Sequence, residues 1–249
     1  MKETAPPDFV PGTGFVPSPE DHRDHRLLTY VPEWADVLKE VADVKVPYTP
    51  TLPVYNQGSS PQCVAFSAAL ASTIDQRRDH RRTLIYDAPE LYARCKERDG
   101  IPGIDGTYPR VSLQIKKDRG MRVMQSPILA EVGHLDQIGA YVSLATIDEV
   151  IAAISLFGSV ILGSTWYASW FDIPNPVTKV FPPPQGDAGG HAYTAVGWNR
   201  NTRRLLVQNS WGPYWGYVIG GTDGRAWLPF EYIDFNDFEA WRSVDIEDN

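Results

Sequence analysis

The apolar positions of this chain change their period about halfway along it. From Cys63 the residues Phe66, Leu70 and Ile74 recur at i, i+4, i+8 behind the turn-forming stretch QGSSPQ, which predicts a helix burying one face, with Cys63 in its first turn. Further helices are predicted from Ala88 to about Arg98, with Pro89 at a tolerated early position, and from Pro109 to about Lys117. Another begins at Thr146, where Thr146 and Glu149 form a capping box before VIAAISLF, and Gly158 closes it. After that the segments SVILGSTW, AYTAVGWN and RRLLVQNSW are short, rich in β-branched and aromatic residues, and divided by Gly, Pro and Asn turns, so they read as antiparallel strands of a sheet or barrel.

Helices first and strands later predict an α+β protein of two lobes meeting along a groove. The helical lobe is expected over about 57–145 and the β-rich lobe over about 146–240, within a domain spanning 50–249. Residues 1–49, rich in Pro and charge with one predicted helix over Pro32 to Val41, read as an extended arm wrapping that domain. No repeat or low-complexity tract interrupts the pattern.

Composition narrows the function classes. The chain has 249 residues, 43% of them hydrophobic, enough to bury a substantial core. Its formal charge of -8 and the lack of a basic run argue against nucleic-acid binding. No stretch of about 18 apolar residues and no signal-peptide core stand in the sequence, so the chain reads as soluble and cytoplasmic, unless a leader was trimmed or an unconventional export route is used. Oligomeric state is left open.

Two cysteines permit one disulfide and no framework. In LYARC, Leu91 and Cys95 share a helix face, so Cys95 reads as a small core residue. Cys63 reads locally either as a buried thiol or as a nucleophile. A thiol attacks as the thiolate, and a helix N-terminus and a neighbouring imidazolium both favour that form. Of the five histidines, His22, His25 and His80 lie in charged runs that suit a solvated face, and His134 lies in a loop without a motif. His191 follows DAGG and opens a strand, and Asn209 ends the next one, where its side-chain carbonyl can accept from one imidazole N–H and fix the tautomer. Trp211 beside it reads as a shield over that bond or as plain aromatic core.

QGSSPQCVAFS, GGHAYTAVGW and QNSWGPYWG, in that order, resemble the three active-site blocks of the papain-like cysteine peptidases. His191 and Asn209 follow Cys63 by 128 and 146 positions, against roughly 130 to 150 in that family. DGTYPRVSLQIKKDRGM looks like the family's substrate strip and following helix, LPFEYI resembles an ending found in bacterial members, and the likeness covers roughly residues 50–235. The resemblance implies a cysteine peptidase in which Cys63 is the nucleophile, His191 the general acid/base, Asn209 its orienting partner and Gln57 the side-chain donor of the oxyanion hole. It also implies that Trp211 shields the His–Asn pair, that Trp215 lines the leaving-group side, and that Gly106, Thr107 and Gly190 contact substrate. No metal or organic cofactor is needed, and the implied partner is a peptide or protein substrate, not a nucleic acid or a membrane.

The departures are specific. Ser60 stands where relatives carry a second cysteine, Val64 replaces the aromatic residue after the nucleophile, and Thr107 stands where a second glycine is usual, so its side chain is expected to crowd a bound peptide. Only about 56 residues precede Gln57, so the expectation is that the family's inhibitory helical propeptide is missing. The segment DFVPGTGFVPSPEDHRDHR is then expected to wrap the lobes or to lay its tip in the cleft. Two rival readings are an acyl transferase or ligase on the same scaffold and a non-catalytic protein that binds peptides or a partner.

Overall fold

The structure, a computed structural model, describes residues 10–45, 53–80, 82–173, 177–213, 215 and 224–244. In chain order they form α1 (Leu27–Tyr30), α2 (Trp34–Glu40), β1 (Val44–Lys45), α3 (Cys63–Asp79), β2 (Ile85–Tyr86), α4 (Ala88–Arg98), α5 (Pro109–Arg119), β3 (Met121–Gln125), β4 (Leu135–Asp136), β5 (Ala140–Leu144) and α6 (Ile147–Phe157). The sheet-rich half follows with β6 (Val160–Tyr167), β7 (Asp187–Asn199), β8 (Arg204–Gln208), β9 (Arg225–Pro229) and β10 (Glu239–Val244).

Apart from the short α1, the helices lie where the sequence placed them, and the ends of α4 and α6 have identifiable causes. Thr146 accepts a hydrogen bond from the Glu149 N–H at the start of α6, and Gly158 ends that helix at φ 99°, a conformation open to glycine at little cost. Asp87 caps α4 in the same way. The alternation of the strands explains the layering. Val160, Leu162, Ala195, Leu205 and Val207 point into one core, where α6 and the aromatic residues of the β-half pack, while Ile161, Val196, Leu206 and Trp241 point into the other, against α3, α4 and α5. The antiparallel sheet runs β5-β10-β6-β7-β8-β9, with β1 added to β7, and is therefore buried on both faces.

The sheet also draws on residues before 146, at 44–45 and at 140–144, which the period analysis assigned to the arm and to the helical lobe. VK is only two residues, too short for alternation to separate it from a loop, whereas AYVSL is an edge strand of five residues that alternates buried and half-buried positions.

One buried charge network joins the layers. Arg242 on β10 donates to Asp75 on α3 at 2.7 Å and to the Ser159 hydroxyl at 3.1 Å. Burial raises the Asp75 carboxyl and the Arg242 guanidinium pulls it back. Asp75→Ala is expected to cost roughly 3–5 kcal/mol, because it strands a buried guanidinium, and replacing both partners by apolar residues should recover much of that loss. Denaturant unfolding of the single and double variants checks it.

Candidate active site

Cys63 is the first residue of α3 and is fully buried. The helix begins there because Gln62, in non-helical backbone, already offers its carbonyl to the Phe66 N–H. Ser60 closes the preceding turn, its hydroxyl donating to the Gln57 carbonyl at 2.7 Å. Cys63 and Cys95 are both free thiols, and Cys95 is buried in the core around α4, as its helical spacing predicted.

His191 lies on β7 opposite Ser164 of β6. Its Nε2 meets Asn209 Oδ1 at 2.8 Å, and the same oxygen accepts from the Ser210 N–H at 2.7 Å. Nε2 is therefore the protonated nitrogen, and Nδ1, buried and without a hydrogen-bond partner among the described residues, carries the free lone pair. Trp211 stacks on the imidazole at 4.3 Å between ring centroids. Trp215 sits farther back, nearly buried, packing on Trp211 and Phe181. His22, His25, His80 and His134 are exposed, in keeping with their charged or loop settings.

Gln57 is held on three sides. Its backbone N–H donates to the Ser210 carbonyl at 2.8 Å, its Oε1 accepts from the Ser210 hydroxyl at 2.5 Å, and its Nε2 donates to the Ser60 carbonyl at 2.7 Å and the Gly12 carbonyl at 3.0 Å. The Gly12 carbonyl also takes the Trp211 indole N–H at 3.1 Å.

That last contact shows where the arm goes. Residues 10–16 lie against Gly190, Thr107 and the residues around Cys63. Gly14 and Phe15 donate to the Gly190 carbonyl at 2.8 and 2.9 Å. Thr107 donates to the Gly14 carbonyl at 3.0 Å and accepts from the Val16 N–H at 3.1 Å, making a parallel bridge across Phe15. The Phe15 ring clusters with Cys63, Val64 and Ala192. Glycines make the approach possible from both sides. A Cβ on Gly12 would strike the Ser60 carbonyl and one on Gly14 the Pro61 carbonyl, while one on Gly106 would strike the Gly14 carbonyl and one on Gly163 the Phe15 ring. Thr107 is fully buried, and its backbone N–H and carbonyl both bond the arm. Beyond the cleft, Ser18 N–H donates to Glu239, and Arg110 holds the Pro19 carbonyl and pairs with Asp24 at 2.7 Å. A cavity of about 430 Å³ remains beside the tip, bounded by Ser59, Pro61, Asp105 and Gly190.

Cys63 and His191 are both fully buried. Burial pushes the Cys63 thiol up to about 12, against the pull of the Ala192, Val64 and Cys63 N–H groups. It brings His191 down to about 3, with the Asn209 contact opposing. Both shifts disfavour the charged form, so with the arm seated the pair is neutral thiol and neutral imidazole.

The periodicity analysis did not single out Gly12, Phe15, Gly163 or Trp166. PGTGF between two prolines carried a local signal, a glycine pair in an otherwise stiff segment, but nothing in it named the surface it meets.

The antiparallel sheet packed against a helical layer, with Cys63 at a helix start and the His191–Asn209 pair at the sheet, matches the fold of papain-like cysteine proteases. Similar solved structures are xylellain, a cysteine protease from Xylella fastidiosa (TM-score 0.78, 23% identity, 95% of this chain and 97% of that one), and a procathepsin B from Trypanosoma congolense (TM-score 0.72, 15% identity, 93% and 85%). A cysteine protease from Carica candamarcensis superposes at TM-score 0.57 with 19% identity over 78% of this chain and 92% of that one. An uncharacterized peptidase C1-like protein of Acanthamoeba polyphaga mimivirus is 40% identical over 47 residues, which span 19% of this chain and 14% of the viral protein's length. No protein-family model matches the chain.

Proposed function

We infer that the chain is a cysteine peptidase that hydrolyses peptide bonds through an acyl-enzyme. The observation that carries this reading is the 2.8 Å contact between His191 Nε2 and Asn209 Oδ1, which leaves Nδ1 as the base on the strand whose Ala192 N–H supports the Cys63 sulfur. Cys63 is the nucleophile and His191 the acid/base. Proton transfer from Sγ to Nδ1 gives thiolate and imidazolium; the thiolate attacks the peptide carbonyl, and His191 returns the proton to the leaving amine. Water, deprotonated by His191, then releases the acyl group and restores the thiol. Gln57 Nε2 and the Cys63 N–H stabilise the oxyanion in both steps.

A peptide or protein substrate suits the cleft because an extended backbone already pairs there with Gly190 and Thr107. These residues, with Gly106 at the close approach, are assigned to substrate binding, and Trp211 and Trp215 to the aromatic wall behind His191. The two free thiols suit a reducing compartment, the cytoplasm, and among the described residues no helix is long and apolar enough to cross a membrane. Residues 50–249 are taken as the catalytic domain and 1–49 as its arm.

Incubating the chain with a peptide library and sequencing the products by mass spectrometry tests the reading. Cleavage at defined sites, reported with its endo or exo mode, is the expected result. Products carrying an added amine in place of water would move the assignment to acyl transfer, and no cleavage by a chain whose arm has been unseated would end the peptidase reading.

A further inference from the structure

The pairing of β6 with β7 puts a second indole beside His191. Ser164 lies opposite His191 and Thr165 opposite Gly190, after which the ladder slips and Tyr167 pairs with Asp187. Trp166, two residues beyond Ser164, therefore shares the sheet face of His191, and the extra length of β7 opposite it, Ala188 and Gly189, forms a bulge. Its ring lies 4.7 Å from the imidazole at 71°, whereas Trp211 lies 4.3 Å away at 27°. Trp166 and Trp211 are themselves nearly perpendicular, at 85°. The two indoles make a corner, and the imidazole sits in it.

From this geometry we propose that Trp166 is a positioning residue for His191. Asn209 pins Nε2 and Trp211 fixes the plane of the ring, but a ring pinned at one atom and stacked on one face still swings within its plane. That swing would carry Nδ1 away from the Cys63 sulfur, and a wall perpendicular to the stack stops it. Trp166 is a rigid wall: it is fully buried, with Trp170, Tyr193 and Phe181 at 5.4, 5.5 and 5.8 Å. Its indole N–H is buried without a hydrogen-bond partner among the described residues. A phenylalanine or leucine would fill an aromatic core without that unmet polar group, so plain packing does not account for tryptophan here.

The inference rests on Cys63 and His191 being the reacting pair, and its test uses the full-length chain with Trp166→Phe and Trp166→Leu. The rate of carboxamidomethylation of Cys63 by iodoacetamide is measured against pH, with the adduct located by mass spectrometry, and kcat and KM are measured on a cleaved peptide. Dividing each variant's rate by the parent's at the same pH removes the contribution of arm opening. In the arm-open molecules that alkylate, where Cys63 and His191 form the ion pair, Trp166→Leu should raise the pH at which Cys63 becomes reactive by about one unit toward that of a free thiol, since a misplaced imidazolium no longer supports the thiolate. kcat should fall roughly tenfold or more with KM within about twofold. Trp166→Phe should lie between, with kcat down about threefold, and it decides the matter if the leucine variant does not fold. A role in packing alone would lower the thermal midpoint and leave the reactive pH and kcat of the folded variants at the parent's values, and that outcome overturns the proposal. Cys63 that alkylates in a parent chain cleaving no peptide would remove the peptidase reading while still reporting on Trp166.

Discussion

A chain carrying Gly12→Ala together with Gly14→Ala is expected to cleave peptide substrates at least tenfold faster than the parent, since about 1.4 kcal/mol lost from arm seating is already a factor of ten in the open population. Neither methyl group has room. The new Cβ atoms would fall on the Ser60 and Pro61 carbonyls, which are backbone and belong to the turn that delivers Cys63. The arm then cannot keep its bonds to Gly190, Thr107 and the Gln57 amide together, and the cleft opens. Neither glycine belongs to the catalytic group, so the gain reports on access alone. The protonation of the pair should change with it. With the arm seated, the thiol at about 12 and the imidazole at about 3 leave both groups neutral throughout the interval between those values. Water entering the cleft removes the burial that causes both shifts; the thiol falls, the imidazole rises, and the ion pair forms near neutrality. Alkylation of Cys63 at pH 7 should therefore accelerate with turnover in the same variant. Equal rates in parent and variant would show that the tip leaves the cleft freely and does not restrain the enzyme.

Much of the site was legible from the chain because its parts sit on regular elements. Cys63 heads a helix whose 3.6-residue period is plain, and His191 on β7 and Asn209 just beyond β8 lie on neighbouring strands, where the structure brings those two into contact. The arm was only half legible. Its close approach depends on backbone and on absent side chains, Gly12 and Gly14 on one side and Gly106, Gly163 and Gly190 on the other. A glycine in sequence says that the chain needs room without saying from what, and only the tertiary structure names the neighbour. Trp166 was hidden for a different reason. Counting by twos from Ser164 puts it on the face of His191, but the contact depends on a β-bulge in the partner strand, and a bulge adds a residue without leaving a mark in the hydrophobic pattern. The edge strand β1 is too short to read, since no period can be taken from two residues.

Cys63→Ala is expected to reduce turnover to the uncatalysed blank, a loss on the order of 10⁴-fold or more, and to abolish labelling by a thiol-directed epoxide. The alanine keeps the helix start and leaves His191, Asn209 and Gln57 in place, so the loss isolates the sulfur. Cys95 will not stand in for it, being buried in the helical core with its thiol also pushed up to about 12. Epoxide adducts that persist in the mutant and map to another residue would overturn the assignment of the nucleophile. Gln57→Ala supplies the complementary measurement. It keeps the nucleophile and removes one of two oxyanion donors, for which kcat should fall roughly 10²- to 10³-fold. The same substitution removes the amide that holds the Gly12 carbonyl, so the arm is held less firmly even as the chemistry slows. Epoxide labelling of Gln57→Ala should consequently stay at or above the parent's rate while peptide turnover collapses. A residue that merely shaped the turn before α3 would lower the two together.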